Sequence, residues 1–188
     1  MSRRVIAIVG MPGAGKTETA AYFRAKGYPV LHFGDQTDIG LKELGKELNQ
    51  DNERWYREKL RSELGMAAYA IKIKPRIEAI ENKKKAVVLD GLYSWEEYQY
   101  LEKEYSNLLI LCIYANPDTR YKRLLDRNHR GLDVVEARKR DVAELENLNK
   151  GGPIAMADYL IVNVAGIEEL HERLGKFIFI VNNQIFYG

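Results

Sequence analysis

Apolar residues in this chain gather into short runs separated by longer amphipathic stretches. Arg3 to Val9 leads into the β-branched run Val5-Ile6-Ala7-Ile8-Val9, which stops at Gly10. A run without alternation predicts a strand covered on both faces. Lys16 to Lys26 is rich in helix formers and closes at Gly27, and Tyr28 to Phe33 predicts a second short strand. Gly34-Asp35 interrupts that strand where a loop facing a substrate would begin. From Ile39 to Asn82 the pattern turns helical, with a break near Leu48 to Asn52, and Lys83-Lys84-Lys85 reads as a solvated turn. Ala86-Val87-Val88-Leu89 gives a third strand ending at Asp90-Gly91, Trp95 to Tyr105 is helical, and Leu108 to Tyr114 is a fourth strand. Pro117 opens a helix where its missing amide costs nothing. Tyr159 to Val162 predicts the last strand and Ile167 to about Val181 the closing helix, while Asn182 to Gly188 reads as an extra strand or a frayed end. Strands alternating with helices predict an α/β domain built on a parallel sheet.

Between the first strand and the first helix lies Gly10-Met11-Pro12-Gly13-Ala14-Gly15-Lys16-Thr17, the full Gly-x-x-x-x-Gly-Lys-Thr pattern. Its context carries as much weight as its letters, because a strand before and a helix after let the glycines turn backbone amides around phosphate oxygens. Lys16 is expected to bridge the outer phosphates of ATP, Thr17 to complete the coordination of Mg²⁺, and Glu18 to sit just inside the helix. Asp90, at the carboxyl end of its strand, reaches the same edge and is a second expected Mg²⁺ ligand. Asp35 is the candidate base for an acceptor hydroxyl, and an ordinary turn carboxylate is the alternative.

Composition narrows the partners. Twenty-nine Lys and Arg against 27 Asp and Glu give +2 over 188 residues, leaving no broad basic field for a nucleic acid. Basic residues nevertheless concentrate between Asn116 and Arg140. Arg120, Arg123 and Arg127 fall on one helical face, Asn128-His129-Arg130-Gly131 breaks the helix, and Arg138 and Arg140 follow. Such a hinged segment is expected to close over a triphosphate. Its alternative is a solvated face paired with Asp126, Asp133, Asp141 and Glu144. The single cysteine, Cys112, lies in an apolar run and is expected to be buried. No apolar stretch approaches the length of a membrane span, so a cytoplasmic protein without membrane contact is expected. Nothing in the pattern specifies an oligomeric state.

The sequence resembles the predicted nucleotide kinases of archaea and bacteria related to adenylate, cytidylate and dephospho-CoA kinases. The likeness runs from the glycine loop through Gly34-Asp35, Val87-Val88-Leu89-Asp90-Gly91, Arg120-Tyr121-Lys122-Arg123 and Arg140-Asp141 with Glu144-Leu145. It closes with the segment from Ile154 to Asn163. It implies a P-loop NTPase fold with a five-stranded parallel sheet flanked by helices, a helical acceptor-binding insertion at about 36–82 and an arginine lid at about 127–140. By the same likeness, Val164, Ala165 and Gly166 lie near the adenine; from their positions around the inferred phosphate site, one or more of Arg120, Arg123, Arg127, Arg130 and Arg140 is expected to stabilise the transferring phosphoryl group. Two arginines usual in adenylate-kinase relatives are missing: Gly34-Asp35 leads to Asp38, and Asp90-Gly91 to Leu92-Tyr93-Ser94. Arg54, Arg57, Arg61 and Arg76 are possible substitutes, and Trp55, Tyr56, Tyr69, Tyr93 and Trp95 possible stacking partners.

The expected function is ATP- and Mg²⁺-dependent phosphotransfer to a small-molecule acceptor: a nucleotide, a nucleoside or something like dephospho-CoA. A nucleotide-sensing P-loop NTPase working through a protein partner is the alternative from another class. A kinase acting on nucleic acid fits the balanced charge least.

Overall fold

The computed structural model describes residues 4–81, 85–126 and 131–183. Five strands form one parallel sheet in the order β2-β3-β1-β4-β5, with β1 (Val5–Val9) at the centre, β2 (Val30–His32) and β5 (Tyr159–Val162) at the edges, and β3 (Val87–Asp90) and β4 (Leu108–Tyr114) between. Every ladder is parallel; Val5 is paired with both Val87 and Leu108.

The apolar runs read from sequence are explained by their two-sided burial. Along β1, Val5, Ala7 and Val9 enter one core and Ile6 and Ile8 the other. The same alternation sends Leu89, Ile110 and Cys112 to the first core and Val88, Leu111 and Ile113 to the second. The second core is closed by α1 (Lys16–Ala25) and α9 (Ile167–Asn182) through Phe23 and Phe177, whose rings meet edge to face at 6.3 Å. The first is covered by α4 (Ala68–Glu78) and α5 (Trp95–Glu104), with α2 (Asp35–Glu43) and α3 (Gln50–Leu64) beyond. Cys112 is buried as expected, and burial pushes its thiol up to about 11.

Local chemistry sets the helix starts. Asn49 caps α3, and Ser94 with Glu97 makes a reciprocal capping box at α5. Asn116 followed by Pro117 opens α6 (Pro117–Leu125), and Asp133 with Glu136 opens α7 (Val134–Leu148). A short α8 (Gly151–Ala155) follows. One expectation needs correction: the helical region begins at Asp35 rather than Ile39. Gly34 is the N-cap of α2, and Asp35 and Asp38 sit in its first turn, where the helix dipole favours negative charge. A further break falls at Gly65, whose φ of +76° ends α3.

The described part of the expected lid is thus the first half of α7, whereas Arg127 and Arg130 lie outside the described residues. The last five residues of the tail lie outside them too; Asn182 and Asn183 end α9. Among the described residues no helix is long and apolar enough to cross a membrane.

Candidate functional site

The carboxyl ends of β1, β2 and β3 converge, and the glycine loop runs over them into α1. Gly10, Gly13 and Gly15 hold φ of +141°, +79° and +109°, values that a side chain strongly disfavours. Space forbids one as well: a Cβ on Gly13 would stand 2.6 Å from the Arg120 carbonyl oxygen. The N-cap of α1 is Gly15, with no side chain bonded across it, so its first-turn amides face the cleft uncapped. A cleft of about 320 Å³ follows, lined by Pro12, Gly13, Gly15, Lys16, Thr17, Glu18 and Asp90 of the expected set. Gly10, Met11 and Ala14 shape the loop without lining the cleft.

Lys16 donates from Nζ to the carbonyl oxygens of Gly10 (2.8 Å) and Met11 (3.1 Å). Burial lowers its pKa to about 7, and the positive charge of Lys150 adds to the effect. Thr17 and Asp90 share the cleft, offering one hydroxyl and one carboxylate. That set fits Mg²⁺, which takes one or two protein oxygens and completes its shell with phosphates and water. No cluster of three His, Cys, Asp or Glu side chains able to hold a metal occurs among the described residues.

The arginines divide. Arg140 and Arg123 line the cleft; Arg123 also donates to the carbonyl oxygens of Asn163 (2.9 Å) and Ala165 (3.1 Å). Arg120 does not line it and is corrected from a catalytic to a bracing position. It is 5% exposed, forks onto Asp141 at 2.9 and 2.6 Å, and donates to the oxygens of Pro12 and Ala115. Tyr121 donates to the same Asp141 carboxylate. Four of its five N–H donors are taken up inside the protein, which turns the Arg120 guanidinium away from the cleft. Asn163 braces the loop from the other side, donating to the Ala14 carbonyl oxygen at 2.8 Å. Val164, Ala165 and Gly166 are exposed between β5 and α9, tied by Arg123 but outside the cleft wall.

Asp35 is likewise corrected. Its carboxylate pairs with Arg76 at 3.1 Å and lines neither the phosphate cleft nor the one beside it, so it is not placed as the base.

Three side chains in the wall were not anticipated as site residues. His32 ends β2 with Nδ1 3.4 Å from Asp90, close enough for charge attraction but without completing a hydrogen bond by geometry. The Asp90 carboxylate raises its pKa above the ordinary imidazole value. Lys150, only 1% exposed, pairs with Glu144 and lies 5.0 Å over the Tyr93 ring; burial lowers its pKa. Glu144 also accepts from Arg140 at 3.2 Å. A histidine closing an apolar run and a lysine after a helix carry no periodic signal, whereas Glu144 was visible only as part of a motif.

A second cleft adjoins the first, and His32, Tyr93, Arg140 and Glu144 line both. On its far side stand α2 and α3, the helices expected to cover an acceptor.

Comparison with known proteins agrees with this geometry. Residues 6–156 match a family profile described as an AAA domain. The UPF0200 protein PH1008 of Pyrococcus horikoshii is 33% identical over 178 residues, covering 93% of this chain and 95% of that one. Among solved structures, TT1252 of Thermus thermophilus superposes with a TM-score of 0.71 at 20% identity, over 95% and 97% of the two chains. A shikimate kinase of Bacteroides thetaiotaomicron superposes at 0.62 and 17%, over 93% and 98%. These two likenesses carry the fold alone. With its glycine loop, its strand order and its relatives in agreement, the chain belongs to the AAA-domain family of P-loop proteins, alongside the UPF0200 proteins.

Proposed function

We propose that the protein is a kinase that moves the γ-phosphoryl group of ATP to a hydroxyl of a small polar acceptor. The observation that carries this reading is the shared wall: His32, Tyr93, Arg140 and Glu144 line both clefts, so a second molecule seated beside α2 and α3 abuts the phosphate site. A nucleotide-sensing switch requires no such adjoining cleft. That a fold neighbour is a shikimate kinase is in keeping with a small acceptor.

In this reading the uncapped amides of α1 and the Lys16 ammonium bind the outer phosphates, and Thr17 and Asp90 hold Mg²⁺. Bound there, the ion neutralises charge on the phosphate oxygens. Arg123 and Arg140 add positive charge at the cleft wall, and Lys150, held by Glu144, adds more from beneath. The acceptor oxygen forms its bond to the γ-phosphorus as the bond to the bridging oxygen breaks, and ADP leaves with that electron pair. His32, facing both clefts, takes the acceptor proton in place of Asp35.

The test is incubation with γ-labelled ATP, Mg²⁺ and a panel of hydroxylated small molecules, with Lys16→Ala as control. A labelled small molecule that disappears in the variant supports the proposal. ATP binding without labelling of any acceptor, joined to hydrolysis that quickens only with a protein partner, favours the switch instead.

A further inference from the structure

The second cleft carries charges that its own pairs do not satisfy. Arg57 lies 3.4 Å from Glu53, and Arg140 is paired with Glu144. Arg61 and Asp38 line the same cleft, and neither makes an ion pair among the described residues. Arg61 is the more telling of the two. It is half-buried on α3, its guanidinium stands 6.0 Å from the centre of the Tyr69 ring, and its Nε is sealed from solvent without a hydrogen-bond partner. Its field reaches Glu97, but that carboxylate accepts from the backbone amides of Tyr93 and Ser94 and forms no ion pair with it.

A partly desolvated guanidinium with an unmet donor is unfavourable by itself. An anion that meets both its charge and its fork restores the balance. Beside it, Tyr69 and Thr37 share a 2.6 Å hydroxyl contact, which leaves hydroxyl capacity at the cleft floor. Asp38, exposed on the first turn of α2, has the opposite requirement: a hydrogen-bond donor or a positive charge. Apart from its tyrosines, the cleft offers only Leu48 and Leu148 as apolar lining, little for a flat base to rest on.

Resting on the kinase reading above, we infer that the acceptor bears an anionic group, carboxylate or phosphate, that docks on Arg61, and a hydroxyl or ammonium group that docks on Asp38. The acceptor is thereby a small hydroxylated anion rather than a neutral sugar or an uncharged nucleoside. Arg61 takes over anchoring from the arginines missing after Gly34-Asp35 and after Asp90-Gly91.

The experiment uses matched pairs: glycerate and glycerol, gluconate and sorbitol, a nucleoside 5′-monophosphate and its nucleoside. Each is titrated by calorimetry onto protein already saturated with a non-hydrolysable ATP analogue and Mg²⁺, so that the glycine loop is occupied, and each is also offered as an acceptor with ATP. The anionic members are expected to bind and the neutral members not. Arg61→Gln is expected to weaken the anionic members by roughly 30-fold or more, Arg61→Lys by less, and the control Arg173→Gln on α9, outside both clefts, not at all. Comparing the carboxylates with the monophosphate tells which anion the site takes. Anion binding lost in Arg61→Gln, with no label transferred to any member and hydrolysis that quickens only with a protein partner, keeps the anion site on Arg61 and removes the kinase reading. Label moving equally well to neutral members, or anion binding that survives Arg61→Gln, overturns the inference and leaves the kinase reading standing. Absence of binding by every anionic member also overturns it.

Discussion

Arg120 and Pro12 stand 108 residues apart in sequence, yet the guanidinium of the first donates to the carbonyl oxygen of the second at 3.0 Å. The same guanidinium is locked onto Asp141. The glycine loop is therefore held from behind by a buried ion pair between α6 and α7. Removing the arginine leaves Asp141 short of a countercharge and the loop short of its brace. Arg120→Met is expected to lose about 3 kcal/mol in urea unfolding and to weaken ATP binding as well. Asp141→Asn, which retains an acceptor for the fork, is expected to fall between that variant and the parent. Unchanged ATP affinity in folded Arg120→Met would sink the bracing role.

Lys16 links the phosphate cleft to protons. With its pKa lowered to about 7, the ammonium of the free protein is largely deprotonated at pH 8. Phosphate oxygens favour the charged form, so binding takes up a proton: roughly one per ATP at pH 8 and almost none below pH 6. Calorimetry in two buffers of different ionisation enthalpy reads this number directly. Lys150→Met removes a like charge, raises the pKa of the free Lys16 and shrinks the uptake at pH 8. Stability moves in the same sense. Between about 7 and 10.5 the unfolded chain binds the extra proton, so this group makes the nucleotide-free protein more stable as pH rises through that window.

Glu97 has the opposite sign. Burial raises its carboxyl to about 7, although the backbone amides of Tyr93 and Ser94 favour its charged form. Between about 4.5 and 7 the folded state binds more protons than the unfolded chain, so stability from this group declines with rising pH, by up to about 3 kcal/mol. Glu97→Gln preserves an acceptor for the capping box and is expected to flatten that decline. Chemical denaturation of both proteins from pH 5 to pH 8 makes the comparison, and parallel curves would refute it.

How much of this was legible beforehand depends on whether a feature repeats along the chain. Two-sided strands announce themselves as unbroken apolar runs, and the glycine loop announces itself because no other residue tolerates its dihedral angles. The start of α2 was misplaced because Gly34-Asp35 reads equally well as a loop and as a cap with its first turn. Arg120 and Arg123 are three residues apart on one helix, yet Asp141 buries the first while the second reaches the cleft wall; the spacing is blind to that partner. Lys150 follows Asn149, a left-handed helix end that would ordinarily put a lysine in water, and only the folding of α8 back beside Glu144 buries it.

The two halves of the site hang from different strands. The glycine loop grows from β1, hydrogen-bonded on both sides and wholly buried, whereas His32, Gly34 and the helices around the second cleft grow from the three-residue edge strand β2. Opening the glycine-loop half requires undoing the middle of the sheet, whereas β2 has a ladder on one side only, so fewer strand pairings hold the wall of the second cleft. Substitutions at exposed positions of α2 and α3 along the second cleft, Asp38 among them, therefore change what that cleft offers without touching the strand that carries the glycine loop.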